Sequence, residues 1–407
     1  MQARPVAVAI VVGGCSMAVI VGGDGSPGWT VIRLGAIAAV TAVALVVTSE
    51  PWRSTVRIVI GTVGMVAGLG IGVVHLVRSG DLALAVAGLA ALGSGLVLVV
   101  DGVGGAVRGR GRWTRAAGIG AAVLAVAAAC LAFVPAVMAT NVPRPVLGAV
   151  TPARFGVEYR DVEFDTEDAV RIAGWYIPSS NGAAVVLRHG SGSTRSDVVA
   201  QAATISRGGY GVLLTDARGH GQSGGRAMDF GWYGDADTRA AVTFLTEQPD
   251  VDPDRIGVVG MSMGGEEAIG AAAADPRIGA VVAEGATGRT DGDMGWLSDV
   301  YGVRGTLQEG IEWLRFALAD GLTAAHKPMS LAEAISTASS TEFFLIAGGA
   351  VADERHVLNR LSTSEPANLT TWIVPDAGHV QGLDREPAEW ADRVLSFLDV
   401  ALSGGVP

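Results

Sequence analysis

The first 141 residues contain five nearly uncharged apolar runs, at 6–22, 31–48, 58–77, 82–100 and 116–140. Each run is about 17 to 25 residues, the length a helix needs to cross the hydrocarbon core of a bilayer. A backbone in lipid must satisfy its own hydrogen bonds, so such runs have to be helices. Charges and turn formers collect in the breaks: Asp24 to Pro27, Glu50 to Arg53, Arg78 to Asp81, and Asp101 to Arg115. The runs are rich in Gly and Ala, which lets membrane helices approach closely. Val12-Gly13-Gly14-Cys15 resembles a lipoprotein cleavage box, but the apolar stretch continues through Val21, so the first run is read as a span. Arg33 lies near the start of its run and can snorkel to the interface, and His75 near the end of its run is given a structural or interfacial role.

Charge divides the chain at the same place. Residues 1–141 carry nine Arg and four acidic residues, a net of +5, whereas 142–407 carry 20 basic and 36 acidic residues, a net of −16. The acidic part argues against nucleic acid as a partner. Both cysteines, Cys15 and Cys130, fall in the apolar part, so the rest has no disulfide to report its redox compartment. With five spans, Arg4, Arg53, Arg57, Arg108, Arg110, Arg112 and Arg115 share one side, against Arg33, Arg78, Arg144 and Arg154 on the other. The arginine-rich side belongs in the cytoplasm. The expected protein is therefore a multi-pass integral membrane protein of the cell membrane, with residues 142–407 extracytoplasmic.

Asn141-Val142-Pro143-Arg144-Pro145 is a stiff, helix-breaking connector and marks the domain boundary. After it, 157–164 and 170–177 alternate around Asp165-Thr166-Glu167-Asp168, which predicts an antiparallel hairpin at a sheet edge. The rhythm then becomes apolar strand followed by helix. Strands are expected at 183–187, 211–215, 256–259, 278–283, 343–346 and 371–374, and helices near 198–206, 235–246, 266–274 and 386–402. This alternation implies an α/β domain, a mostly parallel sheet with helices on both faces.

Within it, Gly260-Met261-Ser262-Met263-Gly264-Gly265 joins a buried strand to a small-residue helix. A Gly-x-Ser-x-Gly turn of this kind holds its serine on a strained corner. Side chains at 260 and 264 would collide with the turn. Ser262 is the candidate nucleophile, with the positive end of the following helix beneath it.

Serine needs a base within reach. Of six histidines, His379 follows the last strand, at the C-terminal edge where ligands of such sheets bind. An acid should follow the strand 343–346, where Asp353 and Glu354 compete; Asp353 is chosen and Glu354 kept as the alternative. The oxyanion needs preset N–H donors. Met263 N–H is one, and Ser191 N–H in His189-Gly190-Ser191-Gly192 the other; His189 itself is expected to shape that loop.

Taken together, His189-Gly190-x-Gly192, Asp216-Ala217-Arg218-Gly219-His220-Gly221-Gln222-Ser223, the Ser262 elbow and Gly378-His379 resemble the alpha/beta-hydrolase superfamily, on its serine-hydrolase side. The resemblance covers about residues 150 to 403 and implies an esterase-, lipase- or peptidase-like fold with a Ser, acid, His order. It implies a buttressing role for the Arg218/His220 loop. The acid loop is longer than the family's pattern, and the membrane region lies outside it.

A helical insert occupies about 286–340. Leu307, Ile311, Leu314, Leu318 and Leu322 recur at helical spacing, and that face is expected to pack on the sheet, with a lid over an acyl pocket as the alternative. Trp296, Trp313 and Phe316 are assigned to the core. No His/Cys/Asp cluster has ligand spacing, so no metal and no organic cofactor is expected. The expected function is a membrane-anchored serine hydrolase cleaving an ester, thioester or amide of a small-molecule or lipid-like acyl substrate. The alternative is an inactive hydrolase domain used as a tethered sensing or docking module. Oligomeric state is not legible.

Overall fold

The computed structural model describes residues 3–21, 27–46, 52–78, 80–363 and 366–403. The breaks at Asp24 and Glu50 lie outside the described residues. Contacts divide the chain into two compact units, Met1–Pro143 with Gly310–Ala324, and Arg144–Glu309 with Ala325–Pro407.

The first unit is helical: α1 (Ala3–Val21), α2 (Pro27–Val46), α3 (Trp52–Ala67), a π-helical stretch (Gly68–Val73), α4 (Val74–Val77), α5 (Leu82–Ala106) and α6 (Arg112–Ala139). Three of these segments, Trp52–Val77, Leu82–Ala106 and Arg112–Ala139, are long and apolar enough to cross a membrane, while Val6–Met17 and Thr30–Ala39 are shorter apolar stretches. Asp81 starts α5 by accepting the N–H of Leu84 at 2.9 Å, an ordinary N-cap. The break expected from Asp101 onward begins later, because Arg57 pairs with Asp101 at 3.1 Å and the helix continues through that charge to Ala106. α5 crosses the π-helical stretch where glycine meets glycine. A Cβ on Gly88 would lie 2.4 Å from Gly72 Cα, so neither position tolerates a side chain. His75 receives the N–H of Asp81 on Nδ1 at 3.0 Å and so donates from Nε2 to Asn141 O at 2.9 Å. It ties the ends of two helices together, a structural role.

The second unit is an eight-stranded sheet: β1 (Arg160–Asp165), β2 (Arg171–Ile177), β3 (Ala184–Arg188), β4 (Gly211–Thr215), β5 (Ile256–Met261), β6 (Ile278–Glu284), β7 (Glu342–Gly348) and β8 (Leu369–Val374). Their spatial order is β1-β2-β4-β3-β5-β6-β7-β8. β1 and β2 form the predicted antiparallel hairpin, β2 pairs antiparallel with β4, and every later pairing is parallel. The central strands β3, β4 and β5 are buried along their whole length, which is why they read as unbroken apolar runs. Alternate residues feed two cores: Val186, Leu213 and Val258 on one face, Val185, Val212 and Val259 on the other.

The helices of this unit are α7 (Val199–Arg207), α8 (Gly234–Thr246), α9 (Met263–Ala274), α10 (Leu297–Tyr301), α11 (Val303–Leu322), α12 (Leu331–Thr337), α13 (Ala352–Ser362), α14 (Gly382–Arg385) and α15 (Pro387–Ala401), with the second half of α11 grouped in the first unit. α9 consists largely of Gly and Ala, which brings it down onto the sheet; a Cβ on Gly265 would lie 3.1 Å from Ala283 Cβ.

The insert departs from expectation in one respect. Of the five apolar positions, Leu307 is 68% exposed and Leu314 39%, whereas Ile311, Leu318 and Leu322 are half-buried; Phe316 and Ala319 are buried. The helical period is as read, but the stripe is only partly buried. Trp296 is a core residue and Trp313 is not, being 57% exposed.

Candidate active site

β5 ends at Met261 and α9 begins at Met263, so Ser262 must turn the chain within one residue. It does so at φ 54°, ψ −122°, a conformation that costs a non-glycine residue roughly 1–3 kcal/mol. Surrounding contacts hold it there: Ser262 N–H donates to Glu284 O at 2.7 Å, and Ser262 O accepts from the N–H of Gly265 at 2.8 Å. The flanking glycines are obligatory. A Cβ on Gly260 would lie 2.1 Å from Gly264 O, and one on Gly264 would lie 2.7 Å from the carbonyls of both Arg188 and His189.

His379 stands on the loop after β8, with Nε2 2.9 Å from Ser262 Oγ. Its other nitrogen, Nδ1, lies 2.6 Å from Glu354 Oε1. The structure thus brings Glu354, the alternative carboxylate, rather than Asp353 to His379. α13 starts at Ala352, so residues 353 and 354 point about 100° apart around its first turn. Asp353 faces solvent, whereas Glu354 is 1% exposed and its second oxygen accepts Gly348 N–H at 2.7 Å. A buried carboxylate on Nδ1 fixes the tautomer with hydrogen there, leaving Nε2 to accept the serine proton. The bond to Glu354 also raises the His379 pKa above its ordinary value, against the opposing effect of partial burial.

The other predicted positions lie around the serine. Met263 is the first residue of α9, where helix geometry supplies no acceptor for its N–H. Ser191 is exposed on the turn closed by Ser193 N–H to Gly190 O at 3.3 Å, and a Cβ on Gly190 would lie 3.1 Å from Ser262 Cβ. Two buried histidines brace this turn. His189 Nε2 accepts Ala217 N–H at 2.9 Å while its Nδ1 lies 2.8 Å from Gly190 O. His220 Nε2 accepts Gly192 N–H at 3.3 Å while Nδ1 lies 3.0 Å from Arg218 O. Burial pushes both pKa values down, so both rings are neutral and each donates from Nδ1.

The Asp216–Ser223 stretch is a scaffold. Asp216 accepts the backbone N–H groups of Arg195 and Gln222, each at 2.9 Å, and pairs with the buried Arg195 guanidinium. Arg218 is shared between Asp237 and Asp168, and that contact drops the Asp168 pKa to about 2. Below the serine, Arg188 donates from Nε to Glu267 Oε2 at 2.9 Å, both fully buried. Removing one partner of such a pair costs about 3–5 kcal/mol, because the other is left charged in the core.

Sequence reasoning passed over Glu284. Its backbone carbonyl holds Ser262, and its side chain accepts Gly382 N–H at 2.7 Å and Trp390 Nε1–H at 2.9 Å. One residue thus ties the serine corner to the segment three residues beyond His379. The available signal was an acid ending an otherwise apolar strand, Ile278 to Glu284.

Comparison with known proteins matches residues 179–334 to the family model described as serine aminopeptidase, S33. That region includes the elbow and the Asp216–Ser223 stretch but stops short of Glu354 and His379. An uncharacterised protein of Mycobacterium tuberculosis is 39% identical over 137 residues, 33% of this chain and 46% of that protein. The thiohydrolase aneE of Aspergillus aculeatus is 36% identical over 133 residues, 30% of this chain and 40% of that protein. The chain thus spans less than half the length of these two relatives. Among solved structures, a Pyrococcus furiosus esterase superposes with a TM-score of 0.51 at 28% identity, covering 64% of this chain and 98% of that one. The part of the chain after Pro143 has the alpha/beta-hydrolase fold, and both the family match and the esterase likeness support its place in that superfamily.

Proposed function

We propose that the chain is a membrane-anchored serine hydrolase that cleaves an ester, thioester or amide through an acyl-Ser262 intermediate. One observation carries the reading: Ser262 Oγ, His379 and Glu354 form a continuous hydrogen-bonded chain at 2.9 and 2.6 Å. Ser262 gives its proton to His379 Nε2 as Oγ attacks the acyl carbon, and the N–H groups of Met263 and Ser191 stabilise the resulting oxyanion. His379 returns the proton to the leaving group. It then takes a proton from water, whose oxygen attacks the acyl carbon, and hands that proton to Ser262 Oγ as the Oγ–acyl bond breaks, which frees the acid and the serine. Glu354 holds the ring in the working tautomer and offsets its positive charge. The thiohydrolase relative and the esterase likeness favour an oxygen or sulfur leaving group.

A fluorophosphonate probe should label the detergent-solubilised full chain, and Ser262→Ala should abolish the labelling. A folded wild type that stays unlabelled would instead favour a catalytically idle docking module.

Membrane anchoring is supported by the three long apolar helices. Counting those three alone, or all five runs, places the loop bearing Arg108 and Arg110 on the side opposite the C-terminal domain. Arginine retention then puts that domain outside. Alkaline phosphatase fused after Pro407 should be active in intact cells; activity only of a cytoplasmic reporter at the same point would reverse the orientation.

A further inference from the structure

α11 carries an apolar stripe that is exposed among the described residues. At 100° per residue, Val303, Leu307, Gly310, Leu314, Ala317 and Gly321 share one side of the helix, over about 30 Å of length. Val303 is 82% exposed, Leu307 68% and Leu314 39%, and Gly310, Ala317 and Gly321 are exposed as well. Around the helix from the stripe, Arg304 and Arg315 lie about 100–120° to one side, Trp313, Asp320 and Glu309 about 80–120° to the other, and Glu312 lies opposite. An exposed apolar stripe bordered by charged side chains and a tryptophan is an arrangement open to a helix lying in a membrane interface.

The helix's own contacts indicate what covers the stripe. Gly310–Ala324 groups with the apolar helices in one compact unit. Arg315 Nη2 reaches Leu131 O of α6 at 3.5 Å, and Arg33 Nη2 of α2 donates to Leu322 O. Leu131 is eight residues before the end of α6, and Arg33 six residues after the start of α2. At 1.5 Å per residue both anchors lie roughly 9–12 Å in from a helix end. In the five-span arrangement those two ends are on the same side of the membrane. The side chain of Leu131 is itself 64% exposed, so the outer surface of α6 at that level is apolar too.

We infer that α11 lies in the lipid leaflet in which α6 ends, with Val303, Leu307 and Leu314 against the acyl chains. The inference rests on the membrane reading above. It makes the insert a lipid-embedded element rather than a piece of the soluble core, which fits an acyl substrate delivered from the bilayer.

The test uses the full chain in phosphatidylcholine vesicles. Cys15 and Cys130 are replaced by alanine, and single cysteines are labelled with an environment-sensitive fluorophore at Leu307, Leu314, Val97 and Arg171. Val97 is an exposed position on α5, 52% exposed, and reports the membrane reading alone; the Arg171 side chain, 63% exposed at the start of β2, reports water. Spin-labelled acyl chains should remove most of the fluorescence at Leu307, Leu314 and Val97 and spare Arg171, with aqueous iodide giving the reverse. Iodide quenching of Leu307 and Leu314, with Val97 still quenched from lipid, overturns the inference and leaves the membrane anchor standing. Iodide quenching of Val97 as well removes both.

Discussion

The carboxylate of Glu354, buried at the first turn of α13, accepts the Nδ1–H of His379 at 2.6 Å and holds Gly348 N–H with its other oxygen. Glu354→Gln keeps the shape but presents a neutral amide, which can also hold the ring in the wrong tautomer. The expected loss in kcat is on the order of 10³–10⁴-fold. His379 must be neutral to accept the serine proton, and Glu354 raises its pKa. The acidic limb of the pH–kcat/KM profile therefore moves to lower pH in the variant. Asp353→Asn, at an exposed position, should keep wild-type activity. Steady-state kinetics across pH distinguish the two; full activity in Glu354→Gln would contradict the assignment.

Glu284 is expected to act through position rather than contact with substrate. Its side chain spans Gly382 N–H and Trp390 Nε1–H, both donors. In Glu284→Gln one donor faces an amide NH₂, leaving a buried mismatch worth about 1–3 kcal/mol. Thermal unfolding should show that loss, and kcat should fall more than KM changes, because the His379 loop loses its anchor. Unchanged stability and kcat would show the loop is held elsewhere.

Gly88 and Gly72 meet across α5 and the π-helical stretch with no room for a side chain. Gly88→Leu should force the helices apart and lower the melting temperature of the detergent-solubilised protein. Gly93→Leu serves as the control, since a Cβ there meets nothing within 4 Å. Equal melting temperatures for the two variants would contradict this packing.

Strands β3, β4 and β5 were legible because burial on both faces writes continuous apolar runs, and β1 of the hairpin because its residues alternate between core and solvent. The strained corner at Ser262 was legible from the glycines it demands, and the position of the His379 loop from its place after β8. Glu354 was not separable from Asp353, since the distinction depends on where α13 begins, and Val351 gives no side-chain cap to mark it. Glu284 was hidden because a strand's terminal residue looks like the start of a loop. The period of α11 was readable but its facing was not: an apolar stripe looks the same whether it meets a sheet or lipid.

The central claim is that Ser262 becomes acylated. The most direct measurement is rapid-quench mass spectrometry of the purified chain with a short-chain thioester. The account predicts an early burst approaching one acyl group per chain, located on the peptide containing Ser262 and absent in both Ser262→Ala and His379→Ala. Turnover of the thioester with no Ser262 adduct at any time, or an undiminished burst in His379→Ala, would contradict it.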